Sequence, residues 1–428
     1  MNRMSVAVAV VAVFATASAA STQTPPAAIT LNEAVQLSQK ALPQMVQAAG
    51  NVKIAEAGER SAVGSYLPNL SLSAGSSLSP KNNIGGVAQS GINDSYNARL
   101  SLSYDVFTGG RRGAQKSQAN AQTATAEAGL LEQQYAVALL TKQAFFNELR
   151  AGDLIKVAES RVQRAQEALD AATQRQKLGS ATQSDVLRAK IELSSANEAL
   201  LTAQTQQTSA RFALGRLIGA NEAVAAKVDA PVEVKPLALT HEQIVELAIS
   251  QAPAIRAAEA STRAADASVD AARAQYLPSL SLSAGYGWQN QDMAFSSQDL
   301  NWSLGLGLSY PLFNGFQREE AVQRAQVQEN VAKAQFADAQ RLARANAESA
   351  VRALTLAEQR IRMNEEAVEA ATEDLRVQRE RYRVSASTIL DLLTSQESLV
   401  RAENSLVGAR YDYQIARAEL ESLLGREL

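Results

Sequence analysis

Most of this chain is written twice, and the duplication restricts its possible folds more than any other property of the sequence. The run Tyr66-Leu67-Pro68-Asn69-Leu70-Ser71-Leu72-Ser73-Ala74-Gly75 returns as Tyr276-Leu277-Pro278-Ser279-Leu280-Ser281-Leu282-Ser283-Ala284-Gly285, at an offset of 210 that also relates Pro43 to Pro253. Tyr104, Phe107 and Gly109 recur as Tyr310, Phe313 and Gly315, and Leu217 and Gly219 as Leu423 and Gly425, now at an offset of 206. Only the stretch between the two copied strands has changed length. Duplication of a whole unit, rather than of many short ones, predicts two similar halves packed with pseudo-symmetry. Residues 20–219 make the first repeat and 239–428 the second; the connector is 220–238, which carries Pro231 and Pro236.

Inside each half the hydrophobic period changes in a fixed order. A helical pattern from about Leu31 to Ser65 is interrupted by Pro43, as its copy is by Pro253, so a short helix or kink should precede the main one. The period then drops to two. Leu70, Leu72 and Ala74 alternate with Ser71, Ser73 and Gly75, and Tyr96, Ala98, Leu100, Leu102, Tyr104 and Val106 oppose Asn97, Arg99, Ser101, Ser103 and Asp105. Leu280, Leu282, Ala284, Tyr286 and Trp288 form one face of the third strand, and Trp302, Leu304, Leu306, Leu308 and Tyr310 one face of the fourth. Such alternation fits a half-buried sheet in a soluble sandwich or a membrane barrel with an apolar outside and a wet lumen. Tyr96, Tyr104, Trp288, Trp302 and Tyr310 favour the barrel, because they fall towards strand ends on the apolar face, as interfacial girdles do. Four strands cannot close a barrel, and open edges cannot face lipid, so a barrel needs further copies of the chain.

After each second strand a glycine turn opens a very long helical pattern. Between Arg112 and Lys177 there are three glycines, Gly113, Gly129 and Gly152, and no proline. One seam in it runs Leu154, Ala158, Val162, Ala165, Leu169, Ala172. The final helix of each half is more regular: Val186, Ala189, Leu193, Ala196, Leu200, Ala203, Gln207, Ala210, Leu214 and Leu217 step by three and four, and Leu392 to Leu423 repeats the pattern. Small alanine knobs in a heptad seam allow close approach, so these helices should lie side by side as antiparallel coiled coils.

Composition bounds the location. A hydrophobic content of 46% argues against bulk disorder, and 41 basic against 44 acidic residues leave a net charge of -3, with no field to draw in nucleic acid. Arg3, the apolar run Val6 to Ala15 and Ala17-Ser18-Ala19 form an export signal over residues 1–19, too short to serve as a membrane anchor. The absence of cysteine removes disulfides, thiolate ligands and any acceptor for an N-terminal lipid. Beyond residue 20 no run of 18 apolar residues occurs, so membrane insertion would have to use the strands.

The duplicated order of helix, hairpin, long helix, tight turn and final helix resembles the TolC-type outer-membrane efflux proteins, as do Leu67-Pro68-Asn69-Leu70 and Tyr276-Leu277-Pro278-Ser279-Leu280. The resemblance covers nearly all of the mature chain. It implies an α+β membrane protein: a homotrimer whose four strands per chain make a twelve-stranded barrel in outer-membrane lipid, above a helical tunnel through the periplasm. It further implies a duct for small molecules or polypeptides, driven by an inner-membrane pump and joined to it by a periplasmic adaptor. A periplasmic coiled-coil scaffold or adhesin without a channel is the alternative.

The same resemblance singles out the helix-hairpin tips. Leu178, Gly179 and Ser180 in the first repeat, and Val384, Ser385 and Ala386 in the second, are expected to contact the adaptor; Gly179 also suits a helix C-terminus that needs a left-handed backbone. Asp391 is expected to form a ring of three carboxylates narrowing the periplasmic mouth, although its place in a first helical turn equally suits a cap. Tyr382 is expected near Asp185, holding the two coils together, but the family's nearby Arg is Ser387 here, which weakens that lock.

Nothing points to catalysis, a metal or a cofactor. His241 is the only histidine and follows Thr240 at a helix start, which suits a capping or surface role. Gly109-Gly110-Arg111-Arg112-Gly113-Ala114-Gln115-Lys116-Ser117 has Gln115 where a phosphate loop needs glycine, and reads as a strand-to-helix turn.

Overall fold

A computed structural model describes residues 28–80, 92–228, 237, 239–290 and 300–428. The export signal at 1–19, and Pro231 and Pro236 of the connector, lie outside the described residues. The first repeat comprises β1 (Ala28–Ile29), α1 (Leu31–Ala41), α2 (Pro43–Gly64), β2 (Asn69–Pro80), β3 (Ile92–Phe107), α3 (Arg111–Lys177) and α4 (Gln183–Leu217). After β4 (Ala225–Ala226) the second repeat runs α5 (His241–Gln251), α6 (Pro253–Arg273), β5 (Ser279–Asn290), β6 (Leu300–Ser309), α7 (Gln317–Arg383) and α8 (Ile389–Leu424).

Local chemistry sets these boundaries. Pro43 and Pro253 occupy the first helical position of α2 and α6, where the missing N–H costs nothing, so each proline starts a helix and divides it from the one before. Four helices open with reciprocal capping boxes: Thr30 with Glu33, Thr182 with Asp185, Thr240 with Gln243, and Thr388 with Asp391. Helices α3 and α7 are 67 residues each, about 100 Å at ~1.5 Å per residue.

The coils are held by the alanine seam. Ala158, Ala165 and Ala172 of α3 and Ala189, Ala196 and Ala203 of α4 are all buried and recur every seventh residue, with partly buried leucines beside them. The second coil fills the equivalent seam more fully, with Leu392, Leu399, Tyr413 and Leu420 buried. Both coils share one core near the tips, where Ala168, Ala172 and Ala189 pack with Leu375, Tyr382, Ile389 and Leu392. Midway along, β1 and β4 pair in parallel beside the buried carboxylate of Glu148. Glu148 accepts from Arg211 Nε at 2.9 Å and from the Ala226 backbone N–H at 3.1 Å, fixing the start of the connector to α3. Gln207 Nε2 donates to the same carboxylate at 3.4 Å, so the buried group is satisfied; removing Arg211, its ion-pair partner, would leave its charge stranded.

The four long strands form one antiparallel sheet in the order β2-β3-β5-β6. Its register turns sequence alternation into two faces. Leu72, Leu100, Tyr286 and Trp302 line up across the sheet on one side, as do Leu70, Leu102, Ala284 and Leu304. Ser71, Ser101, Gly285 and Ser303 line up on the other. One position departs from simple alternation. The register shifts between Asp105 and Phe107, so Phe107 rather than Val106 faces Leu280; a bulge inserts one extra residue there and returns an aromatic ring to the apolar face.

Candidate functional site

Two places on this fold carry groups that packing alone does not explain, the apolar face of the sheet and the two coil tips. On the sheet, Leu72, Leu304, Leu306 and Leu308 are exposed, and the ladder leaves the outer edges of β2 and β6 unpaired among the described residues. A contiguous apolar face of this kind marks contact with lipid or with another chain. The aromatic residues expected on it are not equivalent. Trp302 is 77% exposed and Tyr310 is also exposed, Tyr96 and Tyr104 are partly buried, and Trp288 is 9% exposed, opposite Ala98 and Leu300. Arg112, at the start of α3, lies 5.4 Å from the ring centres of both Tyr66 and Tyr104, tying the foot of the sheet to the helices.

The opposite face is polar and small. A Cβ on Gly285 would come within 2.9 Å of the Ser303 hydroxyl and 3.1 Å of the Arg99 guanidinium, so glycine here makes room for Arg99 to lie across the sheet. The reading of Gly109 and Gly110 as a strand-to-helix turn also holds: both have positive φ, and a Cβ on Gly109 would meet the Ala274 carbonyl at 2.7 Å.

At the far end the chain reverses twice. In the first tip Gly179 takes φ +76° and exposes Leu178 at 82%; in the second Ser385 takes φ +64°, and Val384 is 62% exposed. Ser180 and Ala386 follow, both exposed. Each reversal is closed by the backbone. Ser180 N–H donates to the Arg175 carbonyl and Ala386 N–H to the Arg381 carbonyl.

Asp185 and Asp391 both occupy the third position of a capping box. Asp391 accepts from the Thr388 N–H at 2.9 Å and from its hydroxyl at 2.7 Å; Asp185 accepts the matching pair from Thr182, both at 2.9 Å. These bonds, led in each case by the backbone one, hold both carboxyls below the usual carboxylate range, with Arg381 and Arg188 adding smaller electrostatic pulls. The capping role of Asp391 is therefore present within a single chain. Its side chain is exposed and free to meet others at the same time.

Tyr382 is 4% exposed, and its hydroxyl makes no hydrogen bond, to Asp185 or to any other group. Burial pushes the phenol up, the Arg175 charge opposes the shift and the Asp185 charge adds to it, so the two residues are neighbours in charge without being bonded. Ser387, standing where an Arg was expected, donates to the Gln378 carbonyl of its own coil. The link between coils comes from a residue that sequence reasoning missed. Arg175 donates from Nη1 to the Tyr382 carbonyl at 2.5 Å and from Nη2 to the Ser385 hydroxyl at 3.1 Å and the Ser180 carbonyl at 3.2 Å, while its guanidinium stacks 4.3 Å from the Tyr382 ring centre. Its position two residues before the end of a long helix offered no signal beyond that of any C-terminal cation.

His241 is the exposed first residue of α5, beside the Thr240 cap.

With this geometry in view, known proteins are informative. The family model described as outer membrane efflux protein matches residues 34–220 and 244–426, one span for each repeat. Protein CyaE of Bordetella pertussis is 29% identical over 75% of this chain and 69% of its own length. The probable efflux pump outer membrane protein TtgC of Pseudomonas putida is 24% identical over 80% of this chain and 72% of its own. Among solved structures, the outer membrane protein VceC of Vibrio cholerae superimposes with a TM-score of 0.79 at 24% identity, covering 93% of this chain and 96% of that one.

Proposed function

This chain belongs to the outer membrane efflux protein family, and from that premise we propose that three copies form one outer-membrane duct for efflux or secretion, coupled by an adaptor to an inner-membrane pump. The observation that carries the reading is the amphipathic four-stranded sheet, its two edges open among the described residues, set on coils about 100 Å long. An apolar face and unpaired edges are tolerated in lipid only when the sheet is closed on itself, and three copies supply twelve strands, enough for a barrel with an aqueous bore. The serine- and glycine-rich face then lines the lumen, and Tyr96, Tyr104, Trp302 and Tyr310 lie against lipid or its headgroups. Trp288, buried beside Ala98 and Leu300, contributes less.

At the periplasmic end, Leu178, Gly179 and Ser180 with Val384, Ser385 and Ala386 offer exposed apolar tips to the helical end of an adaptor. Asp391 contributes one carboxylate per copy to a ring at the mouth. The chain carries no chemistry of its own; its work is conduction, and its relatives are channels rather than enzymes. Purified protein should require detergent, migrate as a trimer and conduct ions in a planar bilayer. A detergent-independent monomer, absent from outer-membrane fractions, would instead fit the scaffold reading. Ser180→Arg or Ala386→Arg should abolish export while trimers persist in the membrane.

A further inference from the structure

Inside the protomer the two repeats meet at one joint, where α3 packs against α8, and four arginines converge on a cleft over it. Arg150 and Arg161 come from α3, Arg360 from α7 and Arg401 from α8; the acidic residues lining the cleft are Glu397 and Asp412 of α8. Its volume is about 700 Å³, that of a small-molecule site. Duplication does not account for the cluster. At the offset of 206 the repeat mates of Arg150, Arg161, Arg360 and Arg401 are Leu356, Ala367, Leu154 and Ser195, so each cation belongs to one repeat alone.

The carboxylates do not use up these cations. Asp412 meets Arg150 at 3.4 Å, and Glu397 meets Arg161 at 3.6 Å and Arg401 at 3.7 Å, all longer than the ~2.7–2.9 Å of a tight charged hydrogen bond. Arg360 has no ion-pair or hydrogen-bond partner among the described residues. Arg161 is anchored from its other side by two bonds to Glu192 of α4, at 2.8 and 3.0 Å. The Arg150 guanidinium lies 3.7 Å from where a Cβ on Gly408 would sit, so bare backbone of α8 is its floor. Buried Val400 and exposed Met363 add an apolar wall.

We propose that this cleft binds multivalent organic anions, molecules carrying two or more carboxylate or phosphate groups, on the bore side of the duct. A guanidinium pairs with either group through two parallel N–H···O bonds, and four of them on three helices favour a ligand that presents several anionic groups at once. The place in the bore rests on the duct proposed above; the binding does not. On α3, Thr141 bonds Ser38 of α1 and Glu148 bonds Ala226 of β4, seven residues apart and so on one face. At ~100° per residue Arg150 projects about 200° and Arg161 about 220° from Glu148, onto the opposite face. Four helices from each of three copies, ~9 Å apart, enclose a bore on the order of 25 Å wide, which three copies of α1, each ~10–12 Å across, would fill. A conducting duct therefore carries α1 and β4 outside and the arginine cleft within.

Trimesate, a rigid aromatic tricarboxylate, is the probe, and benzoate, with the same ring and a single carboxylate, is its control. Titration calorimetry of the full-length protein in detergent should find trimesate bound once per chain, ~tenfold or more tighter than benzoate, with an affinity that falls as salt rises. Arg360→Gln strands no partner and should lower trimesate affinity on the order of tenfold. The Arg150→Gln/Arg360→Gln double variant should lower it further, and Arg360→Lys less, because lysine keeps the charge and loses the fork. Arg341→Gln removes a cation from an exposed ion pair elsewhere on α7 and should leave the affinity unchanged. In a planar bilayer, trimesate added on the barrel side, where it need not pass Asp391, should reduce the wild-type current and spare the double variant. No binding by the wild type, equal affinity for benzoate, or an equal loss in Arg341→Gln overturns the site. Binding without block overturns its place in the bore and keeps the site. A protein that binds trimesate and conducts nothing overturns the duct, and the bore with it, but again keeps the site.

Discussion

The two tips are copies of one turn, yet only the first carries a strut to the other. Arg175 and Arg381 are repeat mates at the offset of 206, and each donates to the carbonyl five residues on, Ser180 or Ala386. There the likeness ends. Arg175 continues across to the Tyr382 carbonyl, the Ser385 hydroxyl and the Tyr382 ring, whereas the Arg381 bond stays inside its own turn. The mate of Tyr382 in the first repeat is Gln176, which has no ring for a guanidinium to stack on. A duplicated unit has thus specialised at the joint inside the protomer, and the tip that would meet the next copy lacks the parts for an identical lock. Closure of the mouth should accordingly be firm within each protomer and softer between protomers.

The largest effect should come from removing the strut. Arg175→Ala should raise single-channel conductance and speed amide hydrogen exchange at both tips, while Arg381→Ala should speed it at the second tip alone. Bonds from a charged donor contribute about 1.5–3 kcal/mol where buried, and partial exposure of Arg175 reduces that figure. Equal exchange profiles for the two variants would remove the asymmetry. Tyr382→Phe should change little, because the hydroxyl has no partner to lose.

Asp391 comes next, since two roles converge on it. Asp391→Ala should raise conductance and abolish block by divalent or trivalent cations added from the periplasmic side; Asp185→Ala should loosen closure less. Asp391→Asn separates the roles, because the amide oxygen still accepts from Thr388 while the charge is gone. If cation block survives in the Asn variant, Asp391 acts as a cap and no ring forms.

The sequence announced the architecture because a period-two or period-seven pattern is repeated over many residues and then repeated again. Pro43 with Pro253 marked the helix breaks, Ala189 with Ala196 the seam, and Leu100 with Leu102 the apolar face. The tips were legible only in part. Gly179 advertised its backbone, but Ser385 adopts the same left-handed conformation without a glycine to signal it. Arg175 was invisible because its partners lie 207 and 210 residues away, and no local spacing encodes a contact between two coils. Val106 was misplaced because one bulge suffices to shift every later side chain to the other face.

Acid offers a smaller and graded way to loosen both tips. Asp185 and Asp391 are held below the ordinary carboxylate value by their Thr partners, so their contribution to the caps is complete above about pH 4 and is lost as pH falls through the depressed native values. Amide exchange at Asp185 and Asp391, corrected for its intrinsic pH dependence, should accelerate together below that point, in Thr182→Val and Thr388→Val much less. Acceleration beginning near neutral pH would assign the effect to another group.

The smallest expected difference lies in the backbone itself. Gly179 and Ser385 hold nearly the same left-handed conformation, but a side chain there brings Cβ against the following carbonyl, at a cost of about 1–2 kcal/mol that glycine avoids. Ser385 recovers part of that cost by accepting the Arg175 bond at 3.1 Å, an interaction glycine could not make. The two substitutions should therefore not be mirror images. Gly179→Ser should destabilise the first tip by about 1 kcal/mol, because nothing lies within 4 Å of a Cβ there to compensate. Ser385→Gly should be close to neutral, relief of strain offsetting the lost bond, and in the Arg175→Ala background it should become stabilising by up to about 1 kcal/mol. Local opening energies from native-state hydrogen exchange in the wild type, the three single variants and the Arg175→Ala/Ser385→Gly double variant measure all three values. If Ser385→Gly is equally stabilising with and without Arg175, the bond across the tips contributes nothing in solution, and the asymmetry between them reduces to backbone conformation.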